Sequence, residues 1–231
     1  MSLFKSVKRW LCSHRKIKVA AGNRLTIANK KAFKRLAVSI KGTDNIVEIG
    51  RIHGHNNKLT ILVNGSHNLV KIGEQEFFNA DISVGLKDLA IENCSVKIGA
   101  GHGSVGSSFV LCEDDSHITI GEGGIISSHV QIWCTDTHSM LDTDGNLLNA
   151  GKEVRIGNHV WIGRDVHICK NTSIADNSII GWNSVVTGHY HEPNVVLAGA
   201  PAKEVKHNVN WDARRPKEYL AAQKNELTTQ G

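Results

Sequence analysis

The residue best suited to proton chemistry is His138, in the run Cys134-Thr135-Asp136-Thr137-His138-Ser139. An unperturbed imidazole titrates near pH 6.5 or so, and its neutral form can take a proton from an attacking hydroxyl and later return one to a leaving group. For that, one ring nitrogen must face the substrate while the other donates to a fixed partner. Asp136 and Asp142 are close in sequence, and a backbone carbonyl would serve equally well. Cys134 offers a thiol four residues earlier, the starting point of a covalent route. Two His-x-His pairs, His53/His55 and His189/His191, can each place two imidazoles on one side of a strand, but neither has a clear third ligand. They are read as turn histidines, and no metal is expected.

The element that must position His138 is a repeat. From Glu153 to Gly188 the chain divides into EVRIGN, HVWIGR, DVHICK, NTSIAD, NSIIGW and NSVVTG. A β-branched residue returns at Ile156, Ile162, Ile168, Ile174, Ile180 and Val186, and each is followed by a small or compact residue. A period of six fits neither an amphipathic helix nor a long strand. It suits very short strands separated by tight corners, three to a triangular coil of about eighteen residues, stacked so that the Ile column is buried.

Before this run the repeat is looser. The segments NIVEIG, HNLVKIG, CSVKIG and HITIG end at Gly50, Gly73, Gly99 and Gly121, more than eighteen residues apart, so these coils carry corner insertions such as GHNNK and NGSHN. The strict step begins at Ile120, Ile126 and Ile132, stops at His138 and resumes at Ile156, a span read as two eighteen-residue coils. Residues 137–153, polar with an Asp-Gly turn signal, should leave the solenoid as a loop, and loops on rigid scaffolds are where chemistry concentrates. After Val186 comes the irregular GHYHEPNVVLAGAPAKEVK. From Pro216 a short helix is expected, with Tyr219 and Leu220 docking it on the last coil.

The six-residue spacing, IGNHVWIG, VLAGAPAK and the DTHS context of His138 together resemble the bacterial hexapeptide-repeat acyltransferases, most of all surface-polysaccharide O-acetyltransferases. The resemblance spans about residues 23–211. It implies an all-β fold, a left-handed parallel β-helix with short terminal helices; periodicity alone does not give the handedness. It implies an acetyl-CoA-dependent enzyme that transfers acetyl directly to a sugar hydroxyl of a capsule, O-antigen or exopolysaccharide. His138 would be the general base, with backbone amides stabilising the oxyanion, and Cys134 would take no covalent part. Trp161 would lie beside the acceptor, near a corner, packing on a sugar face or against another subunit. Asp136 and Asp142 join it as candidate substrate-side residues. Gly181, Ala198, Gly199, Ala200, Pro201 and Lys203 would bind the co-substrate, the small residues admitting adenine and Lys203 meeting a phosphate. Relatives commonly follow SVVT with Lys or Arg, whereas this chain has Gly188, so no phosphate contact is assigned there. Homotrimers with CoA between adjacent solenoids are implied, so that His138 and VLAGAPAK can come from different chains. Alternatives on the same scaffold are N-acetylation of an amino sugar, O-acetylation of a small metabolite such as serine, a zinc-dependent γ-class carbonic anhydrase and a noncatalytic binding scaffold.

Composition bounds these readings. Residues 1–41 carry twelve Lys/Arg and no acid, while the remainder is acidic despite the overall charge of +5. That asymmetry argues against a nucleic-acid binder. Residues 1–22 are read as a basic helix or cap, with Leu3, Val7, Trp10 and Leu11 on one face. Residues 1–18 either cover the end of the solenoid or touch an anionic membrane surface. Five cysteines without a C-x-x-C pair suit reduced thiols. With no apolar run of spanning length, a cytoplasmic protein, peripheral at most to the inner membrane face, is expected. The division is 1–22, 23–211 and a helical tail 212–231.

Overall fold

The structure, a computed structural model, describes residues 15–150 and 153–229. It is a parallel β-helix. One face is a ladder of eight strands in the order Arg24–Ile27, Ile46–Ile49, Leu69–Ile72, Ser95–Ile98, His117–Ile120, Glu153–Ile156, Thr172–Ile174 and His189–Tyr190. A fourteen-stranded sheet wraps the other two faces. The early strands Phe33–Lys41, Asn57–Ser66, Gln75–Val84 and Gly101–Leu111 are long. The last of these pairs with both Ile125–Ile126 and Val130–Trp133, so it turns a corner between two faces.

Each hexapeptide has the same internal logic. Its fourth residue points inward, from Ile156 at 3% exposure to Val186 at 0%, and so does its second, from Val154 to Ser184. Burying one such Ile contributes about 1.5–3 kcal/mol. Its first residue makes the corner: His159, Asp165, Asn171, Asn177 and Asn183 all have φ between 53° and 58°. Asn, Asp and His enter this left-handed region more readily than other non-glycine residues, which accounts for their recurrence at those places.

Another corner holds a buried asparagine ladder. Asn45 N–H donates to Asn23 Oδ1, Asn68 N–H to Asn45 Oδ1 and Cys94 N–H to Asn68 Oδ1, at 2.9–3.0 Å. The side-chain amides of Asn45 and Asn68 donate to the carbonyls of Gly65 and Ile91. Each amide thus completes hydrogen bonding where insertions interrupt the backbone ladder.

Three expectations are corrected. Ile120 pairs directly with Ile156, and Ile126 with Ile162, so their thirty-six-residue separation is one coil with an ejected loop and not two coils. Residues 15–19, assigned to the N-terminal cap, form a strand paired in parallel with Leu36–Ile40. The rest of that cap, including the expected helical face at Leu3, Val7, Trp10 and Leu11, lies outside the described residues. Helix α1 (Pro216–Thr229) forms with proline in its first turn, as expected, but Leu220 is 57% exposed and Tyr219 packs under the Arg214 guanidinium, 4.9 Å from the ring centroid. Neither residue docks the helix on the last coil. No helix among the described residues is long and apolar enough to cross a membrane.

Candidate active site

His138 lies on the ejected segment, which leaves one face after Val130–Trp133 and rejoins the next at Glu153–Ile156. The segment closes on itself as a hairpin: Leu148 N–H donates to Met140 O at 2.8 Å, and Leu141 bridges Leu147. Its tip is built by Asp142, whose carboxylate accepts from the backbone N–H groups of Asp144 and Asn146 and from the Asn146 amide. These bonds, the Asn146 amide foremost, hold the Asp142 carboxyl below its ordinary range.

The base of the hairpin is clamped to the prism. Lys170 Nζ, with a side chain only 9% exposed, lies 2.9 Å from Asp136 Oδ2 and also donates to the Asn149 carbonyl. The Asn149 amide donates to Asp136 Oδ2 and to the His138 carbonyl at 2.9 and 2.8 Å, and its oxygen accepts from Met140 N–H. The Lys170 hydrogen bond holds the Asp136 carboxyl below its usual value. A lowered carboxyl pKa stabilises the fold above the unfolded value, so the clamp is present at neutral pH and is lost on acidification through the folded value.

The His138 ring is exposed and has no hydrogen-bond partner among the described residues; only its carbonyl is tied down. Neither carboxylate considered as its orienter reaches the ring, because Asp136 serves Lys170 and Asn149 while Asp142 serves its own turn. Sequence reasoning missed Lys170, far from His138 along the chain, and Asn149, eleven residues on in the same segment. Beside the clamp is a cleft of about 330 Å³ lined by Gln131, Trp133, Thr135, Asp136, His167 and Cys169. Trp133 was also missed; the signal was available, since it occupies the outward place after buried Ile132, just before the repeat breaks.

Cys134 is fully buried, and burial pushes its thiol up to about 12. A nucleophilic thiolate requires the opposite environment. Cys134→Ala is expected to keep its turnover, and iodoacetamide at pH 8 should leave Cys134 unlabelled in the folded protein when the peptides are read by mass spectrometry. Loss of turnover, or native-state labelling, would restore the covalent route.

Trp161 lies on the flat of another face and not at a corner, paired between Ile125 and Ile179, with 38% of its surface exposed. The corner belongs to His159. Trp211, fifty-two residues on, stacks on the His159 ring at 4.2 Å and 6°, donates its indole N–H to the His159 carbonyl and stands 6.3 Å from the Trp161 ring. No local pattern announces that contact.

The VLAGAPAK segment shares this face. Val196–Gly199 continues the ladder above Ile179–Ile180 and turns back antiparallel as Ala202–Lys206, through the cis Ala200–Pro201 bond. Ser184 Oγ pins the turn, donating to Gly181 O and accepting from Gly199 N–H. A Cβ on Gly181 would lie 3.2 Å from that of Ala198, so the small residues keep this surface low. Lys203, Ala200 and Pro201 are exposed, and Trp182, next to Gly181, is 68% exposed. Within one chain, Trp161 and VLAGAPAK therefore come together, and the His138 hairpin leaves from other faces.

The His-x-His pairs have local partners: His53 Nε2 is 2.5 Å from Glu74 Oε1, and His189 Nδ1 is 2.9 Å from Ser173 Oγ. Among the described residues the group with ligand-like spacing is Glu192, Glu204 and His207, all exposed, which includes neither pair.

Residues 153–188 match the family model described as bacterial transferase hexapeptide (six repeats). Over these residues the chain carries that hexapeptide repeat. Among solved structures, the hexapeptide-repeat protein is similar in fold to the polySia-specific acetyltransferase NeuO, with a TM-score of 0.66 and 24% identity over 90% of this chain and 86% of that one. It is also similar to the polysialic acid O-acetyltransferase OatWY, with a TM-score of 0.58 and 27% identity over 92% of this chain and 95% of that one. No curated protein matches it by sequence. The expected hexapeptide-repeat β-helix is thus the fold observed.

Proposed function

We propose that the hexapeptide-repeat protein is an acetyl-CoA-dependent O-acetyltransferase of a surface polysaccharide. The observation that carries this reading is the exposed His138 ring, without a hydrogen-bond partner among the described residues, on a hairpin anchored to the prism by Lys170, Asp136 and Asn149. The likeness to two acetyltransferases of polysialic acid supports the substrate class.

The acceptor hydroxyl attacks the thioester carbonyl carbon as its proton passes to His138. The new C–O bond forms, the C–S bond breaks, and the departing thiolate takes a proton from the imidazolium. Both substrates are held at once. The low surface of Gly181, Ala198, Gly199, Ala200 and Pro201 accepts the nucleotide end of the co-substrate, and Lys203 meets a phosphate as a point charge. Trp161 stands on this same face and excludes water from the thioester.

Because His138 and this surface leave one chain on different faces, the site is completed by a second copy, in a homotrimer whose clefts lie between protomers. The test incubates the protein with acetyl-CoA and a panel of acidic and neutral polysaccharides, following free thiol and glycan mass. Thiol release coupled to base-labile acetyl esters on a polymer is expected. Acetyl on nitrogen, or transfer only to a small metabolite, would overturn the reading.

A further inference from the structure

A second cleft, of about 530 Å³, opens on the same side of the prism as the one beside the hairpin, and the two share Gln131. At its far end Arg35 and Lys58 stand side by side on paired strands. Both are exposed, and among the described residues neither makes an ion pair. Like charges on adjacent strands repel and give no stability to the fold, so their placement in a cleft calls for an anion.

Local irregularity shapes this cleft. The ladder slips between Phe33 and Arg35 and again between Ser104 and Ser107, where the chain bows outward at Val105 and Gly106. Such bulges re-aim side chains and raise a wall beside a regular sheet. Asp81, on the next coil, faces the cleft without pairing to either cation and can accept from hydroxyl groups. The Trp133 indole donates to Gln131 Oε1 at 3.0 Å, which holds the ring as a platform at the hairpin end. Five steps of strand pairing, roughly 24 Å at the usual strand spacing, separate the strand that carries Arg35 from the one that carries His167, the row through His167 reaching Ala37, two residues beyond Arg35.

We propose that these joined clefts form an extended acceptor subsite for a carboxylated glycan polymer, with Arg35 and Lys58 gripping one carboxylate several sugar residues from the bond being made. Hydroxyl groups along the way meet Asp81 and Gln131, and a sugar face rests on Trp133. This rests on the polysaccharide-acetyltransferase reading above and adds to it a preference for long, acidic acceptors set far from the reacting hydroxyl.

The test measures equilibrium binding of labelled polysialic acid, its disaccharide unit, dextran sulfate and neutral dextran, without acetyl-CoA. Wild type is expected to bind polysialic acid more tightly than either its disaccharide unit or the two dextrans. The Arg35→Ala/Lys58→Ala double variant should lose about tenfold in affinity for the long polymer, the size of one charge-assisted contact, and keep wild-type affinity for the disaccharide. Trp133→Ala should weaken polymer binding with an unchanged thermal unfolding temperature, and Lys58→Gln provides a milder probe of the cation pair. Unchanged polymer affinity in the double variant, equal binding of polymer and disaccharide, or equal capture of dextran sulfate would overturn the proposal. Because binding is read without turnover, failure of the acetyl-transfer reading shows in the product assay and failure of the subsite shows here.

Discussion

His138→Ala should lower turnover by about 100-fold or more, the scale of a positioned general base, with acetyl-CoA affinity and thermal unfolding unchanged. The split follows from the local bonding. The ring makes no hydrogen bond among the described residues, whereas the His138 carbonyl, which any substitution retains, receives the Asn149 amide. Removing the imidazole therefore takes away chemistry and leaves the hairpin in place. Asn149→Ala provides the contrast, because it cuts the bonds to Asp136, to Met140 N–H and to the His138 carbonyl together, and should disturb both the hairpin and turnover. Full activity in His138→Ala, measured as thiol release with acceptor present, would remove this residue from the mechanism.

The second large effect is on stability. Asn68→Ala should cost about 2–6 kcal/mol, because it removes the side-chain partners of the buried Cys94 N–H and the Ile91 carbonyl, each loss worth about 1–3 kcal/mol. Asn68→Asp should be worse, since it turns a carboxylate toward the Ile91 carbonyl that the amide now serves. Asn23→Ala, at the first and more exposed corner, should cost less because water replaces part of what is lost. The midpoint of urea unfolding checks the series. Equal midpoints for Asn68→Ala and Asn23→Ala would mean that the ladder does not act as a buried network.

How far the sequence speaks depends on whether a feature is periodic. Ile156 to Val186 repeat every six residues, and their burial follows from that spacing alone. The wide steps ending at Gly50, Gly73, Gly99 and Gly121 were legible too, since Ile49, Ile72, Ile98 and Ile120 are successive rungs. The misreading of 120–156 has a simple cause: the ejected segment happens to equal one coil in length, so counting residues cannot distinguish a loop from a turn of the prism. Only the pairing of Ile120 with Ile156 decides it.

At the site, His138 could be found because it sits where the period fails. Its anchor could not, because Lys170 fits the repeat as an ordinary sixth residue, and neither could the contact beside Trp161, where Trp211 reaches His159 across fifty-two positions. The carboxylates nearest to His138 in sequence bind other groups because the hairpin's own turn and base need acceptors first. Proximity along a loop says little about which way a side chain is drawn.

The hairpin departs after one strand and the chain resumes at the next, which pairs with His117–Ile120 without a register shift. The ladder below it therefore runs on whatever the appendage's length and composition, and the exposed imidazole and the buried core lie in separable parts of the polypeptide. A relative could lengthen, shorten or exchange this appendage to suit a new acceptor without rebuilding its trunk, provided that the fastening at Lys170 is kept.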